Sequence, residues 1–424
     1  MASLLIKNGR VIDPANGVDR VTNVLIENGR VTSYDLNSRG EDKVIDATGK
    51  LVVPGLIDPH VHLREPGFEE DETIATGTAA AVAGGFTSIA CMPNTNPPVD
   101  SRASVEFILH QAQRADNCNV YPVACVSQGR AGESLAEMGQ LSEAGAVAFS
   151  DDGAPVSNAE LMRRAFEYSI MFDKAIMNHP EDKSLTHGCV MHEGLVSVEL
   201  GLAGIPAAAE EIMIARDITL AELTGGRLHE QHVSSKGSVD LIRRAKARGV
   251  RVTAEVTPHH ISLTDECLRT FDSCYKMNPP LRSQEDVDAC IEGLKDGTLD
   301  IIGTDHAPHA PEKKMVELDR APFGIVGLET ALGVLSTKLI IPGHLTWSQL
   351  IEKMTINPAR LLNLKKGSLE VGADADITII DPDMQWTVDA SKFKTKSRNT
   401  PYNGWTLTGR AIYTIVGGRI RFSL

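Results

Sequence analysis

Apolar and polar residues alternate near both ends of the chain with the short period of β-strands. Short apolar runs separated by turn residues occur in LLIKNGRVID, NVLIENGRVTSYD, ADITIID and LTGRAIYTIVGGRIRF. In the first two segments, Asn-Gly stands between alternating apolar positions, which is a strong signal for a β-hairpin. The shared character of the two chain ends predicts one small β domain, a β-sandwich, built from residues 1–53 and 366–424.

The middle of the chain, residues 54–365, alternates strand-like apolar runs with amphipathic helical segments. Helical spacing is clear in SRASVEFILHQAQRA, SNAELMRRAFEYSIMF and KGSVDLIRRAKARG, and the last ends at Gly249, a usual helix stop. Eight strand-then-helix units favour an α/β fold with a parallel (β/α)8 (TIM) barrel, although doubly wound sheets alternate in the same way. The candidate strands are GLIDPHVHL, FTSIACMPN, NVYPVACVS, AVAFSDD, KAIMNHP, RLHEQHVS, VRVTAEVTPH and LDIIGTDHA.

Composition and charge exclude several classes of function. The chain is 42% apolar and 23% charged, as in ordinary soluble globular proteins. A net charge of −14 disfavours nucleic-acid and membrane-surface binding, but an anionic small substrate stays compatible with a locally positive site. We see no signal peptide and no apolar run of about 18 residues that could span a membrane. The seven scattered cysteines lack a CxxC pair, so we expect no disulfides and a reducing, cytoplasmic location.

Polar residues end most of the candidate strands of the middle region. Active sites of (β/α)8 barrels lie at the C-terminal ends of the strands, so one rim would gather these side chains. Four histidines with two carboxylates exceed one tetrahedral site and suit two divalent ions, zinc or a similar metal, that share a bridging carboxylate. The residues concerned are His60 and His62, which share one face of a strand, Asn94, Asp151, Asp152, His179, His232, Asp305 and the nearby His309.

Each of these residues alone also has an ordinary structural interpretation. A histidine at a strand end can be a hydrogen-bonded rim residue, and Asp305 can be a helix N-cap. The hypothesis of a metal site rests on their joint occurrence at the same end of five candidate strands.

Several stretches resemble the signature motifs of the dihydroorotases, and the set is most similar to the bacterial, type I-like members. The resemblance covers essentially the whole chain, including the split β domain of the amidohydrolase superfamily in KNGRVID and GADADITIID. It implies a hydrolase of cyclic amides that converts N-carbamoyl-L-aspartate reversibly to L-dihydroorotate in pyrimidine biosynthesis. The matching stretches are DPHVHLREPG (58–67), MPNTNP (92–97), FSDDG (149–153), TAEVTPHH (253–260), MNPPLR (277–282), GTDHAPHAPEKK (303–314) and APFGIVGLET (321–330).

The resemblance also implies a set of ligands for two Zn²⁺ ions. His60 and His62 would bind one ion beside Asp305, and His179 and His232 would bind the second. A bridging aspartate would join the two ions.

Two aspartates compete for the bridging role. The family's spacing of 27 residues before His179 selects Asp152, with Asp151 as the fallback. Many superfamily members use a carboxylated lysine as the bridge instead. The fourth candidate strand has no lysine, and Lys174 lies at the wrong end of the fifth, which counts against a hydantoinase or an allantoinase.

The substrate carboxylate requires fixed positive charge and hydrogen-bond donors. Arg64 lies two residues after His62, so strand alternation predicts it on the same face, where its guanidinium can bind a carboxylate with two donors. The resemblance implies that Asn94 and His309 complete this pocket, with His62 beside it. Asn278 and the backbone of Phe323 and Gly324 would hold the ring amides.

Two further roles follow as hypotheses, and each has a structural alternative. Asp305 would take a proton from the attacking water and pass it to the departing ring nitrogen. Residues 310–324 would form a mobile lid, or an ordinary surface loop. Without the resemblance, Arg64 also fits a surface ion pair, Asn94 a turn and His309 a loop.

Two other functions compete with the main hypothesis. One is another cyclic amidohydrolase, such as a dihydropyrimidinase or an allantoinase. The other is an inactive or partner-dependent subunit of an aspartate transcarbamoylase complex, although inactive relatives usually lose metal ligands and all six are present here. A homodimer is what the family implies.

Overall fold

The computed structural model describes residues 3–34 and 43–424, so Asp35 of the quoted segment NVLIENGRVTSYD and residues 1–2 and 35–42 of the predicted β domain lie outside the described residues. The strands are β1 (Ser3–Asp13), β2 (Val18–Glu27), β3 (Arg30–Tyr34), β4 (Lys43–Asp46), β5 (Leu51–Pro54), β6 (Leu56–Val61), β7 (Phe86–Cys91), β8 (Asn119–Ala124), β9 (Ala148–Phe149), β10 (Ile176–Asn178), β11 (Met191–His192), β12 (Gly204–Ile205), β13 (Leu228–Glu230), β14 (Val252–Val256), β15 (Ile301–Ile302), β16 (Ile377–Thr387), β17 (Thr406–Val416) and β18 (Arg419–Ser423). The α-helices are α1 (Ile74–Gly84), α2 (Arg102–Ala115), α3 (Met138–Ala144), α4 (Ala159–Ser169), α5 (Leu195–Leu200), α6 (Ala208–Thr224), α7 (Lys236–Ala247), α8 (Gln284–Asp296), α9 (Pro311–Lys314), α10 (Ala331–Leu335), α11 (Trp347–Met354) and α12 (Ile356–Leu361).

Eight parallel strands form a nearly closed barrel in the order β6-β7-β8-β9-β10-β13-β14-β15. Each strand lies within one of the eight segments that the sequence predicted. Between the first and last strands, Val61 pairs with His306 in a parallel bridge, and the backbone N–H of His62 donates to the His306 carbonyl over 2.8 Å. The predicted (β/α)8 barrel is therefore confirmed.

The barrel forms because strands and helices bury their apolar residues in different patterns. Every residue of β6 and β7 is buried, as expected for parallel strands covered on both faces. Helix α2 begins after Ser101, whose hydroxyl accepts from the N–H of Ser104, and it buries Val105, Ile108 and Ala112 on one face. This packing fixes the strand ends and therefore the rim of the barrel.

Both chain ends contribute to a second sheet of eight strands, in the order β18-β17-β16-β5-β1-β2-β3 with β4 paired to β1. The prediction of a β unit built from both chain ends is thus confirmed. The domain boundaries at residues 53/54 and 365/366 stay a prediction.

Two Asn-Gly pairs in this second sheet behave differently. Asn28-Gly29 forms the expected hairpin between β2 and β3. Asn8-Gly9 does not, because β1 continues through it and the register against β2 shifts between Ile6 and Gly9. The left-handed φ of 60° at Asn8 accommodates a β-bulge there rather than a turn, so the hairpin prediction for LLIKNGRVID was wrong.

Two segments outside the barrel strands reach its C-terminal rim. One follows β10 and contains the small parallel sheet of β11 and β12. The other is the stretch between β16 and β17, where the Ser397 hydroxyl donates to the Asp71 carbonyl over 2.6 Å. Among the described residues, no helix has the length and apolarity needed to cross a membrane.

Candidate active site

A cavity of about 680 Å³ opens at the C-terminal ends of the barrel strands. His60, which is fully buried, is absent from its lining. The other eleven residues that the sequence analysis assigned to the site line it together, namely His62, Arg64, Asn94, Asp152, His179, His232, Asn278, Asp305, His309, Phe323 and Gly324.

Three cavity residues have a left-handed backbone although none of them is glycine. The φ angles are 62° at Arg64, 36° at His232 and 47° at Asp305, and each residue follows the end of a barrel strand. Such conformations cost about 1–3 kcal/mol each and cluster at functional sites. Strand alternation was the wrong reason for placing Arg64, because β6 ends at Val61 and the side chain enters the cavity from a turn.

The carboxylate of Asp152 lies at the centre of the four histidines. Its Oδ1 is 3.5 Å from His60 Nε2, 3.6 Å from His179 Nδ1 and 3.9 Å from His232 Nε2. Its Oδ2 is 3.6 Å from His62 Nε2. One oxygen of this carboxylate therefore faces three of the histidines and the other oxygen faces the fourth, so a single side chain contacts all four rings.

Asp305 completes one side of this cluster. Its Oδ1 lies 2.9 Å from His62 Nε2 and 3.5 Å from His60 Nε2. Burial raises the pKa of this carboxyl, but the two histidines lower it more, so the net pKa is below the usual range. The Asp305 carboxyl is therefore ionised near neutral pH.

Asp151 has a different environment from its neighbour. Its carboxylate accepts hydrogen bonds from the backbone N–H of Val126 over 2.8 Å, from the backbone N–H of Ser127 over 3.2 Å and from the Ser127 hydroxyl. It thus holds the chain after β8, whereas Asp152 faces the histidines. Lys174, before the start of β10, does not line the cavity.

Two buried glutamates that the sequence analysis did not single out orient the histidines. Glu255 accepts from Nδ1 of His60 over 2.5 Å, and Glu181 accepts from Nε2 of His179 over 2.9 Å. Because a carboxylate can only accept, the opposite ring nitrogen of each histidine presents its lone pair to the cluster when the ring is neutral. Metal-binding histidines are usually oriented in this way. Spacing is a weak signal for Glu181, two residues after His179, and offers none for Glu255.

Asn94 plays the same part for His62. Its Oδ1 accepts from Nδ1 of His62 over 2.9 Å, so in a neutral ring the His62 Nε2 lone pair points at the Asp305 carboxylate. Two acceptors only 2.9 Å apart repel each other unless a proton or a cation lies between them.

The cluster therefore has the ligand atoms of a metal site, and with its histidines neutral it carries a net negative charge. Burial lowers the pKa of His60, but Glu255, Asp305 and Asp152 raise it more, so the net pKa is well above its usual range. Burial also lowers the pKa of His179, but Asp152 and Glu181 raise it more, so the net pKa rises to about 9. Within the described part of the chain, His60 Nε2 is buried without a hydrogen-bond partner. A divalent cation would replace the missing charge, so these residues fit a metal site.

The opposite wall of the cavity offers groups for an organic anion. Arg64 Nε donates to the Pro308 carbonyl over 3.1 Å, and among residues 3–34 and 43–424 no side chain or carbonyl accepts from its two terminal nitrogens. His309 Nε2 donates to the Phe323 carbonyl over 2.7 Å, so only a protonated Nδ1 could give a second donor. Asn278 Nδ2 donates to Glu181 over 2.9 Å.

Residues 310–324 form part of this wall and are held by two buried lysines. Lys276 Nζ donates to the Leu318 carbonyl over 2.7 Å and lies 4.6 Å from the ring centroid of Phe323. Lys314 Nζ donates to the Pro322 carbonyl over 2.8 Å, and burial lowers its pKa to about 8. The mobility of this segment stays a prediction.

Comparisons with known proteins find relatives that match this chain over nearly its whole length. The family described as Dihydro-orotase-like matches residues 49–238. Proteins named Dihydroorotase from Pelotomaculum thermopropionicum and Acetivibrio thermocellus are 59% and 53% identical to this chain, with 98% of this chain and 98% of each relative covered. The solved L-hydantoinase (dihydropyrimidinase) from Arthrobacter aurescens has a TM-score of 0.89 at 27% identity, covering 99% of this chain and 96% of that chain. Given this identity over nearly the whole length of its relatives, the chain belongs to the dihydroorotase family.

Proposed function

We propose that this protein is a dihydroorotase, which interconverts N-carbamoyl-L-aspartate and L-dihydroorotate with release or uptake of one water. The observation that carries the proposal is that one cavity holds both Arg64 and the cluster around Asp152. The cluster suits hydrolysis of a cyclic amide. The guanidinium suits the ring carboxylate of dihydroorotate, which hydantoin and dihydrouracil lack.

We further propose that the cluster holds two Zn²⁺ ions. His60, His62 and Asp305 would hold one ion, His179 and His232 the other, and Asp152 would bridge them. When bound, the metal would polarise the ring amide carbonyl and make water a stronger nucleophile near neutral pH.

The protein's own residues position the ring and move the proton. Arg64 would bind the carboxylate, with Asn94 and His309 beside it and His62 at the floor of the pocket. Asn278 and the backbone of Phe323 and Gly324 would hold the ring amides.

Proton transfer is assigned to Asp305. Its ionised carboxylate would accept the proton of the attacking water and donate it to the ring nitrogen as the amide bond breaks. In ring closure the same carboxyl works in reverse. A homodimer, a complex with aspartate transcarbamoylase and a cytoplasmic location stay part of the proposal.

The proposal is tested by the rates for four cyclic amides with one metal-loaded preparation. We expect kcat/KM for L-dihydroorotate to exceed that for dihydrouracil, hydantoin and allantoin by at least about 10³-fold, because a site built around a charged group rejects ligands that lack its partner. Preference for hydantoin or dihydrouracil would contradict the proposal and favour a dihydropyrimidinase. Bound metal without turnover of any ring would favour a subunit that depends on aspartate transcarbamoylase.

Replacing Arg64 tests the assignment of the carboxylate pocket. Arg64→Met should raise KM for L-dihydroorotate by about 10- to 100-fold, the usual worth of hydrogen bonds to a charged group. Arg64→Lys keeps the charge but not the planar pair of donors, so its KM should lie between those of the wild type and of Arg64→Met. Steady-state kinetics with metal content measured in parallel gives the answer, and an unchanged KM for Arg64→Met would remove Arg64 from the site.

A further inference from the structure

Asn399 is a buried side chain outside the barrel that joins two segments of the cavity wall. It lies in the stretch between β16 and β17 and is 4% exposed. Its Oδ1 accepts from the backbone N–H of His309 over 3.1 Å. Its Nδ2 donates to the carbonyls of Ala307 and Gly324, each over 3.0 Å.

These contacts use both N–H donors of the amide group and one of its two acceptor positions, in one orientation of the group. Two carbonyl oxygens face Nδ2 and one N–H faces Oδ1, so neither a carboxylate nor a flipped amide satisfies the same partners. The backbone carbonyl of Asn399 also accepts from the N–H of Val326 over 2.9 Å. Asn399 therefore links the segment after β15 to the segment of Phe323 and Gly324.

The two linked segments approach each other closely, and small shifts there would change the cavity. Gly324 has a φ of 125°, and a Cβ atom at this position would lie 2.7 Å from Cβ of Ala307. His309 and Phe323 are hydrogen-bonded to each other and both line the cavity. The distance between the proposed carboxylate and ring-amide contacts therefore depends on this junction.

Asn399 is itself held in place from a third direction. The Lys396 N–H donates to Glu72 over 3.0 Å, and the Ser397 hydroxyl donates to the Asp71 carbonyl. Asp71 in turn accepts from the N–H of Ala310 over 2.8 Å, beside the same segment. The C-terminal part of the chain thus forms a fixed support behind the substrate side of the cavity.

We propose that Asn399 is a positioning residue for substrate recognition, setting His309 against Phe323 and Gly324 so that the cavity fits a ring bearing a carboxylate. This inference rests on the proposed dihydroorotase function. The four histidines and Asp152 make no hydrogen bond to Asn399, so its loss should weaken substrate binding more than the chemical step.

The test compares Asn399→Ala and the milder Asn399→Ser with wild type and with Asn403→Ala. Asn403 is exposed on the same stretch and accepts from the Ala390 N–H, which makes it a matched control. For each protein we would measure kcat and KM for L-dihydroorotate, the inhibition constant of orotate, the melting temperature and the metal content.

For both Asn399 variants we expect KM and the orotate constant to rise together by about 10- to 100-fold, since a buried hydrogen-bond network loses one partner. We expect kcat to stay within about threefold, and metal content and the Asn403→Ala enzyme to be unchanged. A purely structural role would lower the melting temperature without moving both binding constants.

Four other results would overturn the inference. In folded Asn399 variants, a KM and an orotate inhibition constant close to wild type would overturn this inference and leave the proposed function standing. A fall in kcat at constant KM would do the same. Failure of both Asn399 variants to fold, with Asn403→Ala folded, would assign the residue to the fold instead. A wild-type enzyme without dihydroorotate turnover would overturn the proposed function and this inference with it.

Discussion

Asp305→Asn is expected to lower kcat for L-dihydroorotate by about 10²- to 10⁴-fold, the range for loss of a general acid or base. The asparagine keeps the size of the side chain but cannot take the proton of the attacking water. It also removes the carboxylate that lies 2.9 Å from His62. The protein should remain folded, because the barrel closure depends on backbone contacts of neighbouring residues.

Single-turnover and steady-state rates at saturating metal check this expectation, since they separate lost chemistry from lost metal. Asp319→Asn is the matched control, because Asp319 is exposed at the same cavity and its hydrogen bond with Lys276 uses the backbone carbonyl, which the substitution keeps. Near-normal turnover by Asp305→Asn would contradict the role of Asp305 in proton transfer.

The two neighbouring aspartates should give opposite phenotypes. Asp152→Asn is expected to lower bound metal and to reduce turnover by more than about 100-fold. Loss of a residue that only hydrogen-bonds to a metal ligand already lowers metal affinity or activity by about 10- to 100-fold, and loss of a ligand itself should cost more. Asp151→Asn should keep its metal but lower the free energy of unfolding by about 1–3 kcal/mol, since one oxygen that accepts from Val126 and Ser127 is lost.

Metal analysis after gel filtration and denaturant unfolding of both variants measure this contrast. Equal metal loss in the two variants would mean that Asp151 also acts as a ligand. Full metal content and normal turnover in Asp152→Asn would remove Asp152 from the bridging position.

Local patterns in the sequence predicted the strands and the rim residues well. Each barrel strand lies inside its predicted segment, although β15 keeps only Ile301 and Ile302 of LDIIGTDHA. The polar strand ends turn away from the ladder, and for Asp305 this turn is the left-handed backbone that aims the carboxylate. Hydrophobic patterning does not report such conformations, because it depends on alternation within a regular strand.

Contacts between residues that are distant in the sequence could not be predicted from local patterns. Glu255 contacts His60 across 195 positions, and Asn399 contacts His309 across 90 positions. Neither pair has a characteristic spacing, so only the closed barrel and the returning C-terminal stretch bring them together. The hairpin prediction at Asn8-Gly9 failed for a related reason, because pairing of β1 with β2 outweighs the local turn preference.

The central claim is that this protein hydrolyses and forms L-dihydroorotate with metal held by the Asp152 cluster. The most direct measurement is metal content and dihydroorotate turnover on one purified sample, before chelation, after chelation and after return of Zn²⁺. We predict about two ions per chain, loss of turnover in step with loss of metal, and recovery with Zn²⁺. Full turnover in metal-free protein, or bound metal with no turnover at any stage, would contradict the account.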